Sequence, residues 1–366
     1  MVALTQVLGS IAAAFICSVA QAAPADSTHT LPIIFFHGVT ANALSGTFMQ
    51  RNLSTPERPF VSLNFCENEC SLQDLRVQTK LAIDQIRNIT TSDSRFDRGY
   101  VFLAHSQGGA IARSVVEEMD DHKVHTLVTL AGANNGIFYG PQATDFLPAK
   151  FFRDVLAGVM IDKKLFDPSN YTDDDIRSGK LQIDTIKLHV AHPELQAAGS
   201  TYQLSRSPAQ ALWTTYNSFF PVINNLQSPD TTAIIEDQKR RKRNFLKLKS
   251  AHFFASPADE TISPWQSSIF GHYNEVESMD ELEQKYTTLR VLPMKDTEEY
   301  QRDTFGLRTL DERGGVFLHV LEDVSHACWV ADAALTGGPS SCRFQPVFEQ
   351  GVYPLLSPAS KPRCNV

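Results

Sequence analysis

This sequence of 366 residues has few cysteines, fewer cationic than anionic side chains and no recognisable cofactor-binding motif. Lys and Arg number 33 against 41 Asp and Glu, so the net charge is −8, which argues against nucleic acid as a partner. Only 6 cysteines are present, and Cys66 and Cys70 have no second pair at the spacing of a zinc site. The sequence also has no glycine-rich phosphate loop, no paired metal carboxylates and no internal repeat. We therefore predict neither a metal nor a cofactor.

The chain begins with an apolar segment that is typical of a secretory signal peptide. Residues 3–20 carry no charge, and Ala20-Gln21-Ala22 supplies a small-x-small cleavage site. We therefore expect residues 1–22 to be removed, which leaves residues 23–366 as a mature lysosomal or secreted chain. A retained anchor is the alternative. No other uninterrupted apolar stretch is long enough to span a bilayer, so no stable membrane anchor is expected.

Sequons and cysteines both fit a lumenal compartment. Three Asn-x-Ser/Thr triplets predict glycosylation at Asn52, Asn88 and Asn170. Removal of the signal peptide leaves five cysteines, so at most two disulfides form, and their pairing stays open. These cysteines are Cys66, Cys70, Cys328, Cys342 and Cys364.

An apolar run at residues 100–104 leads into His105-Ser106-Gln107-Gly108-Gly109 and then into a helical pattern. This order of strand, turn and helix is typical of the nucleophile elbow of α/β-hydrolases, which needs small residues two positions on either side of the serine. Here Ala104 and Gly108 occupy those positions, so alanine replaces the first glycine of the usual pattern. Ser106 is therefore the predicted nucleophile. The alternative is that its hydroxyl only caps the helix.

A second strand-to-turn sequence occurs where the apolar run 31–36 ends at His37-Gly38-Val39. Acyl transfer passes through an oxyanion, which needs two backbone N–H donors, usually one after the nucleophile and one from an earlier loop. Val39 and Gln107 are the predicted donors. A His-Gly pair also occurs in plain turns, which is the alternative for this segment.

His326 is the predicted general base. The chain order of this fold is nucleophile, acid, base, so the base follows residue 106. A strand at 316–321 is followed by a loop that places His326 at the carboxyl end of that strand. His319 lies inside the strand, and His252 and His272 have apolar neighbours, so these three are weaker candidates.

Asp259 is the predicted acid that orients this base. It follows the short apolar run 250–255, so it also leaves the carboxyl end of a strand. Ligands of open parallel sheets bind at that edge, so Ser106, Asp259 and His326 are expected to converge there. Glu260 is the local alternative and Asp323 the distant one.

Three further segments make the resemblance to a known family specific. They are Ile262-Ser263-Pro264-Trp265-Gln266-Ser267-Ser268 after Asp259, Thr304-Phe305-Gly306-Leu307-Arg308, and Val324-Ser325-His326-Ala327-Cys328-Trp329. With His37-Gly38 and the serine elbow, they resemble the palmitoyl-protein thioesterase family, and within it the second lysosomal branch, that of the acyl thioesterases. The resemblance covers most of 31–140 and 244–330. It implies Ser106 as nucleophile, Asp259 as acid and His326 as base.

The order of apolar runs and helical patterns predicts one α/β domain. Strands are expected at 31–36, 60–65, 100–104, 125–131, 250–255, 288–293 and 316–321, and helices at 72–89, 108–119 and near 278–286. This alternation predicts an α/β-hydrolase fold, a mostly parallel sheet with helices on both faces. Residues 141–243 are predicted to form a largely helical cap insertion. Its apolar faces either line an acyl-binding groove or only pack the cap onto the core.

Together these observations predict a serine hydrolase that cleaves fatty acyl thioesters, either S-acylated peptides or acyl-coenzyme A. An oxygen-ester lipase or esterase is the alternative within enzymes. An inert α/β-hydrolase that binds lipid is the alternative outside them. The fatty acyl thioester is the expected partner, and the oligomeric state stays open.

Overall fold

The computed structural model describes residues 27–332 and 342–357 of the chain. The expected signal peptide, residues 1–22, and Cys364 lie outside the described residues. The expected domain limits and the single-domain count therefore stay predictions.

Six parallel strands form the central sheet in the order β2-β1-β3-β4-β5-β8. Strands β1, β3 and β4 are buried almost throughout, because continuous apolar runs are shielded on both faces of a parallel sheet. The strands of this sheet are β1 Ile33–Phe36, β2 Phe60–Ser62, β3 Tyr100–His105, β4 Val124–Leu130, β5 Ser250–Ala255 and β8 Val316–Val320.

Side chains of each central strand alternate between two apolar cores, one on each face of the sheet. Phe102 and Ala104 of β3 join the core that contains the longer helices. Val101 and Leu103 join the opposite core, which includes Trp329 and the C-terminal helices. Burial on both faces fixes the register of β3, because a slip by one residue would exchange the two sets of side chains.

Helices cover both faces of this sheet. The helices beside the sheet are α1 Thr47–Leu53, α2 Leu75–Ser92, α3 Gln107–Glu118, α12 Thr232–Phe245, α13 Met279–Lys285, α14 Glu298–Gln301, α15 Leu307–Glu312, α16 Phe344–Val347 and α17 Tyr353–Leu356. Helix α3 lies closest to the site. Eleven of its twelve residues are buried, because it packs against β3, β4, α2 and α12 at once.

Short helices fill the chain between β4 and β5, where the cap insertion was predicted. They are α4 Phe146–Phe151, α5 Ala157–Met160, α6 Asp173–Arg177, α7 Lys180–Ala191, α8 Leu195–Ala198, α9 Ser200–Leu204, α10 Gln210–Tyr216 and α11 Phe220–Ile223, with a π-helical turn at Phe152–Leu156 joining α4 to α5. This segment has an apolar cluster of its own, built around Phe152, Ile176, Leu181 and Tyr202. Its boundaries as a cap stay a prediction.

One expected strand of the main sheet is wrong. The predicted strand 288–293 is reduced to β7 Val291–Leu292, which pairs antiparallel with β6 His272–Tyr273 in a separate small sheet. Val291 and Leu292 are only half-buried, and Pro293 follows at once, so the segment lacks the length and burial of a central strand.

Candidate active site

Ser106 lies on the sharp turn between β3 and α3. Its backbone has φ 58° and ψ −129°, a strained conformation for a residue with a side chain. The turn is held by the Ser106 N–H, which donates to the Leu130 carbonyl at 3.1 Å, and by the Ser106 carbonyl, which accepts from Ala133 at 3.0 Å. Ser106 is 5% exposed, so its hydroxyl lies at the floor of a cleft.

The end of β1 approaches this turn so closely that glycine is required on the helix side. A Cβ built on Gly108 would lie 2.6 Å from the His37 carbonyl oxygen and 2.7 Å from that of Phe36. A Cβ on Gly38 would lie 3.0 Å from the Ser106 Cβ. The close approach places Val39, which follows Gly38, beside the serine.

His326 and Asp259 complete a hydrogen-bonded line with Ser106. His326 Nε2 lies 2.9 Å from Ser106 Oγ, and His326 Nδ1 lies 2.9 Å from one carboxylate oxygen of Asp259 and 3.1 Å from the other. In the tautomer that this line requires, Nδ1–H donates to the carboxylate and Nε2 accepts the serine proton. The three side chains come from the carboxyl ends of β3, β5 and β8, as the sequence predicted.

Each carboxylate of the Asp259-Glu260 pair holds His326 at a different point. The Asp259 side chain accepts from the backbone N–H groups of Thr261 and Ile262 at 2.8 and 2.9 Å, which fixes it toward the imidazole. Glu260 instead accepts from the backbone N–H of His326 at 3.0 Å. The distant alternative, Asp323, is exposed in a turn.

Burial and the two carboxylates act on the His326 pKa in opposite directions. Burial lowers the pKa most strongly, but the Asp259 charge, its hydrogen bond and the Glu260 charge together raise the pKa of His326 above its ordinary value. The environment therefore favours the imidazolium that forms when the serine gives up its proton.

His105 is a supporting residue that the sequence analysis missed. Its Nε2–H donates to the His326 carbonyl at 2.9 Å, and the two rings lie 4.8 Å apart. Burial, followed by the neighbouring His326, lowers the pKa of His105 to about 3, so this ring is a neutral donor. In the sequence, only the position of His105 directly before Ser106 points to a role in the site, and the elbow motif already accounts for that position.

The two residues expected to supply the oxyanion donors, Val39 and Gln107, line the same cavity as Ser106. Val39 follows the close approach of β1, and Gln107 is the first residue of α3, where an α-helix leaves its N–H without an intrahelical acceptor. The Gln107 side chain points elsewhere, since its Nε2 donates to the Ser71 carbonyl at 2.8 Å and to Gln78 at 3.1 Å. The backbone N–H is therefore the group of Gln107 that remains for an oxyanion.

A largely apolar cavity opens above the serine. Its volume is about 60 Å³. Residues around the catalytic serine line part of it, and the segment between β4 and β5 contributes Phe152, Leu156, Ile161 and Leu204.

The other histidines considered as a base have different partners. His252 of β5 and His319 of β8 lie within hydrogen-bond distance of each other, with 3.1 Å between their ring nitrogens. His272 lies in β6 beside Glu299, with 3.5 Å between its Nε2 and the carboxylate. None of these three belongs to the serine site.

Two disulfides support the loops around the site. Cys328 is bonded to Cys342, which ties the 3-10 turn His326–Trp329 to the segment that begins α16. Cys66 is bonded to Cys70 within the turn that precedes α2. Within residues 27–332 and 342–357, no group of three or more His, Cys, Asp and Glu side chains forms a metal site.

Comparison with known families decides the affiliation of the chain. The model of the family described as palmitoyl protein thioesterase matches residues 32–326. The chain belongs to the palmitoyl protein thioesterase family. The match covers all five residues of the candidate site, from Val39 to His326, and the arrangement of Ser106, Asp259 and His326 is that of a hydrolase.

Relatives with established names narrow the branch. The chain is similar to lysosomal thioesterase PPT2-B of Xenopus laevis, with 29% identity over 63% of this chain and 64% of that protein. It is similar to the Drosophila melanogaster lysosomal thioesterase PPT2 homolog, with 24% identity over 81% of this chain and 86% of that protein. The human lysosomal thioesterase PPT2 shows 25% identity over 83% and 84%. The expected closeness to the lysosomal thioesterase branch is confirmed, and the chain is a hydrolase of the acyl thioesterase class.

Proposed function

We propose that this chain hydrolyses fatty acyl thioesters, either S-acylated peptides or acyl-coenzyme A, with Ser106 as nucleophile. The observation that carries the proposal is the 2.9 Å contact between His326 Nε2 and Ser106 Oγ at the floor of an apolar cavity. Family membership supports thioesters as the class of substrate.

In the acylation step, His326 Nε2 takes the proton of Ser106 as Oγ attacks the thioester carbonyl. Asp259 holds the ring in the required tautomer and stabilises the imidazolium. The carbonyl electrons move to the oxygen, which the N–H groups of Val39 and Gln107 stabilise. The C–S bond then breaks, the thiolate leaves with its electron pair and takes the proton from His326 Nε2, and an ester on Ser106 remains.

Water completes the cycle by the same route. His326 takes a proton from water, the hydroxide adds to the ester carbonyl, and the oxyanion again lies at Val39 and Gln107. The C–O bond to Ser106 breaks, His326 returns the proton to Oγ, and the fatty acid is released. The apolar cavity supports this assignment because it removes an acyl chain from water, at about 0.8 kcal/mol for each buried methylene.

An oxygen-ester lipase would use the same residues, so the leaving group separates the two activities. A thiolate leaves without full protonation, whereas an alkoxide needs the proton that His326 holds. Hydrolysis of a thioester and an oxyester with one acyl chain is the direct comparison, and equal or faster oxyester turnover would favour the lipase. The same acyl chain on a cysteine peptide and on coenzyme A distinguishes the two thioester classes.

Lysosomal placement is also part of the proposal. The related proteins of frog, fly and human are named lysosomal thioesterases. Asn52, Asn88 and Asn170 are all exposed, so each sequon is accessible to glycosylation. No helix among residues 27–332 and 342–357 has both the length and the apolarity to cross a membrane. Expression in a eukaryotic cell, followed by N-terminal sequencing and glycosidase treatment, tests cleavage after residue 22 and use of the three sites.

Replacement of the nucleophile tests the mechanism. Ser106→Ala is expected to lower kcat for an acyl thioester by about 10³-fold or more, because only binding and oxyanion contacts remain. A fluorophosphonate probe is expected to label the wild-type protein at Ser106 and to leave the variant unlabelled. Unchanged turnover in a folded variant would contradict the assignment, and an unlabelled, inactive wild-type protein would favour the inert lipid-binding alternative.

A further inference from the structure

Helix α7 turns three polar side chains toward the largely apolar cavity. Gln182, Thr185 and His189 all line it, and their spacing of three and four residues places them on one face of the helix. Apolar side chains at these positions would serve a plain alkyl chain better, because every polar group here is removed from water.

Two of these three side chains already have partners. The Gln182 side-chain oxygen accepts from the backbone N–H of Tyr139 at 2.8 Å. The Thr185 hydroxyl donates to the Leu181 carbonyl at 2.8 Å, one turn earlier in α7. Both contacts anchor the helix, so neither residue needs a ligand.

His189 differs from both. It is 2% exposed, and neither ring nitrogen has a hydrogen-bond partner among the described residues. Its ring packs against the rings of Tyr202 at 5.4 Å and Tyr216 at 6.1 Å. A buried polar group without a partner is unfavourable for folding, and such groups in native proteins call for an explanation such as a ligand.

The chemistry of the missing partner follows from the protonation state of the ring. Burial lowers the pKa of His189 to about 4, so the imidazole is neutral in neutral and mildly acidic solution. A neutral imidazole has one N–H donor and one bare nitrogen acceptor. A hydroxyl both donates and accepts hydrogen bonds. It can therefore pair with either ring nitrogen of His189, whichever of the two carries the proton.

We propose that His189 forms a polar subsite in the acyl cavity and selects acyl chains that carry a hydroxyl group. The inference rests on the proposed thioesterase function. The hydroxyl belongs to the acyl part of the substrate, because Phe152, Leu156 and Ile161 line the same cavity and would exclude a hydrated peptide or nucleotide. An unsubstituted chain leaves His189 without a partner, and a hydroxylated chain supplies one.

The test compares a hexadecanoyl thioester with its hydroxylated counterparts, with the hydroxyl beside the carbonyl, at mid-chain or at the chain end, and with one thiol throughout. For at least one hydroxyl position, kcat/KM of the wild-type protein is expected to exceed that of the plain chain about tenfold, the worth of one buried hydrogen bond. His189→Leu is expected to reduce this ratio to about one, through a lower kcat/KM for the hydroxylated chain. His189→Gln, which keeps a donor and an acceptor, is expected to retain part of the preference.

His192→Leu is the matched control. It makes the same substitution at the end of the same helix, where the side chain is 40% exposed and bonded to Glu194 outside the cavity. This variant is expected to keep the wild-type ratio. A preference for hydroxylated chains that survives His189→Leu would overturn the inference, as would equal rates for all the acyl chains in the wild-type protein.

Calorimetric binding of the free hydroxylated and plain fatty acids to the Ser106→Ala protein separates failure of the inference from failure of the proposed function. Hydrolysis without any hydroxyl preference refutes the subsite and leaves the thioesterase function standing. Tighter binding of the hydroxylated acid that depends on His189, in a protein that hydrolyses no thioester, supports the subsite and refutes the function. If His189→Leu does not fold, the ratio of kcat/KM for hydroxylated and plain chains, measured in the wild-type protein and in His189→Gln, still tests the subsite.

Discussion

At the scale of single residues, the two adjacent carboxylates Asp259 and Glu260 divide the control of His326 between them. Asp259 bonds to the imidazole itself, whereas Glu260 bonds to the backbone of the same residue. Both charges raise the His326 pKa. Their removal is therefore expected to have different consequences, since only Asp259 determines which ring nitrogen carries the proton.

Asp259→Asn is expected to lower kcat by about 10³ to 10⁴-fold, because the amide no longer favours the reactive tautomer. Glu260→Gln keeps an acceptor for the His326 N–H and removes only a charge. The His326 pKa then falls, the neutral base persists to lower pH, and the acidic limb of the kcat profile moves to lower pH. Rate profiles of both variants check this, with exposed Asp323→Asn as the control. Loss of activity in Glu260→Gln with normal activity in Asp259→Asn would contradict the assignment.

Residue chemistry made part of this site predictable. Ser106 and His326 follow strand ends with recognisable neighbours, so the sequence alone pointed to them. The division of roles between Asp259 and Glu260 follows from the turn after β5, where two backbone N–H groups hold Asp259 toward the ring. Composition carries no signal for that turn. The contact of His105 with the His326 carbonyl joins residues 221 positions apart, and for that reason no local pattern predicts it.

At the scale of elements, the packing of β1 against the start of α3 shapes the elbow. Gly108→Ala places a Cβ against two backbone oxygens, at 2.6 and 2.7 Å, and backbone cannot move aside as a side-chain end would. We expect the free energy of unfolding to fall by about 2 kcal/mol or more, together with activity, because the strand and helix must separate. Urea unfolding and kcat measure the two effects.

Gly158→Ala is the control for this substitution. A Cβ at Gly158, inside α5, meets only the end of Lys163 at 3.9 Å. Alanine there is expected to leave stability unchanged or to raise it by up to about 1 kcal/mol through its better helix propensity. Equal unfolding curves for Gly108→Ala and the wild-type protein would show that the close approach does not exist in solution.

Elements with long apolar runs were predictable, and short ones were not. The predicted strands 100–104 and 250–255 match β3 and β5 within one residue, because burial on both faces leaves an unbroken apolar run. Helices α1, α14, α16 and α17 have only four to seven residues, too few for a recognisable period. Strand β7 has only two residues, so its pairing with β6 depends on tertiary contacts and could not be predicted from the local sequence.

At the scale of the whole molecule, buried titratable groups have opposite effects on the stability of the folded chain as the pH falls. Burial lowers the pKa of His122 and His189 to about 4 each, so the unfolded chain binds their protons first and stability falls below about pH 6.5. Burial raises the pKa of Asp145 to about 6, so the folded chain binds that proton first and stability rises as the pH falls from 6 toward 4. The Asp145 effect therefore offsets only part of the loss of stability that His122 and His189 cause between pH 6 and pH 4.

A substitution at His122 can test the destabilising effect of a buried histidine separately. Its Nε2–H donates to the Asn244 carbonyl at the end of α12 at 3.1 Å, and its Nδ1 accepts from the Val124 N–H at the start of β4 at 3.1 Å. A proton on Nδ1 would break the second bond, so the folded state keeps the ring neutral. With a folded pKa of about 4 and an ordinary value of 6.5, the contribution of His122 to stability falls by about 2 kcal/mol between pH 7 and pH 5.

His122→Gln is therefore expected to reduce the difference in unfolding free energy between pH 7 and pH 5 by about 2 kcal/mol, whatever its effect at pH 7 alone. The same substitution at His192, which is exposed at the end of α7, is expected to leave that difference as in the wild-type protein. Urea unfolding of the three proteins at both pH values provides the comparison. Parallel pH dependence in His122→Gln and the wild-type protein would mean that His122 takes up its proton equally in the folded and unfolded chain, and the junction of α12 with β4 would then tolerate the charged ring.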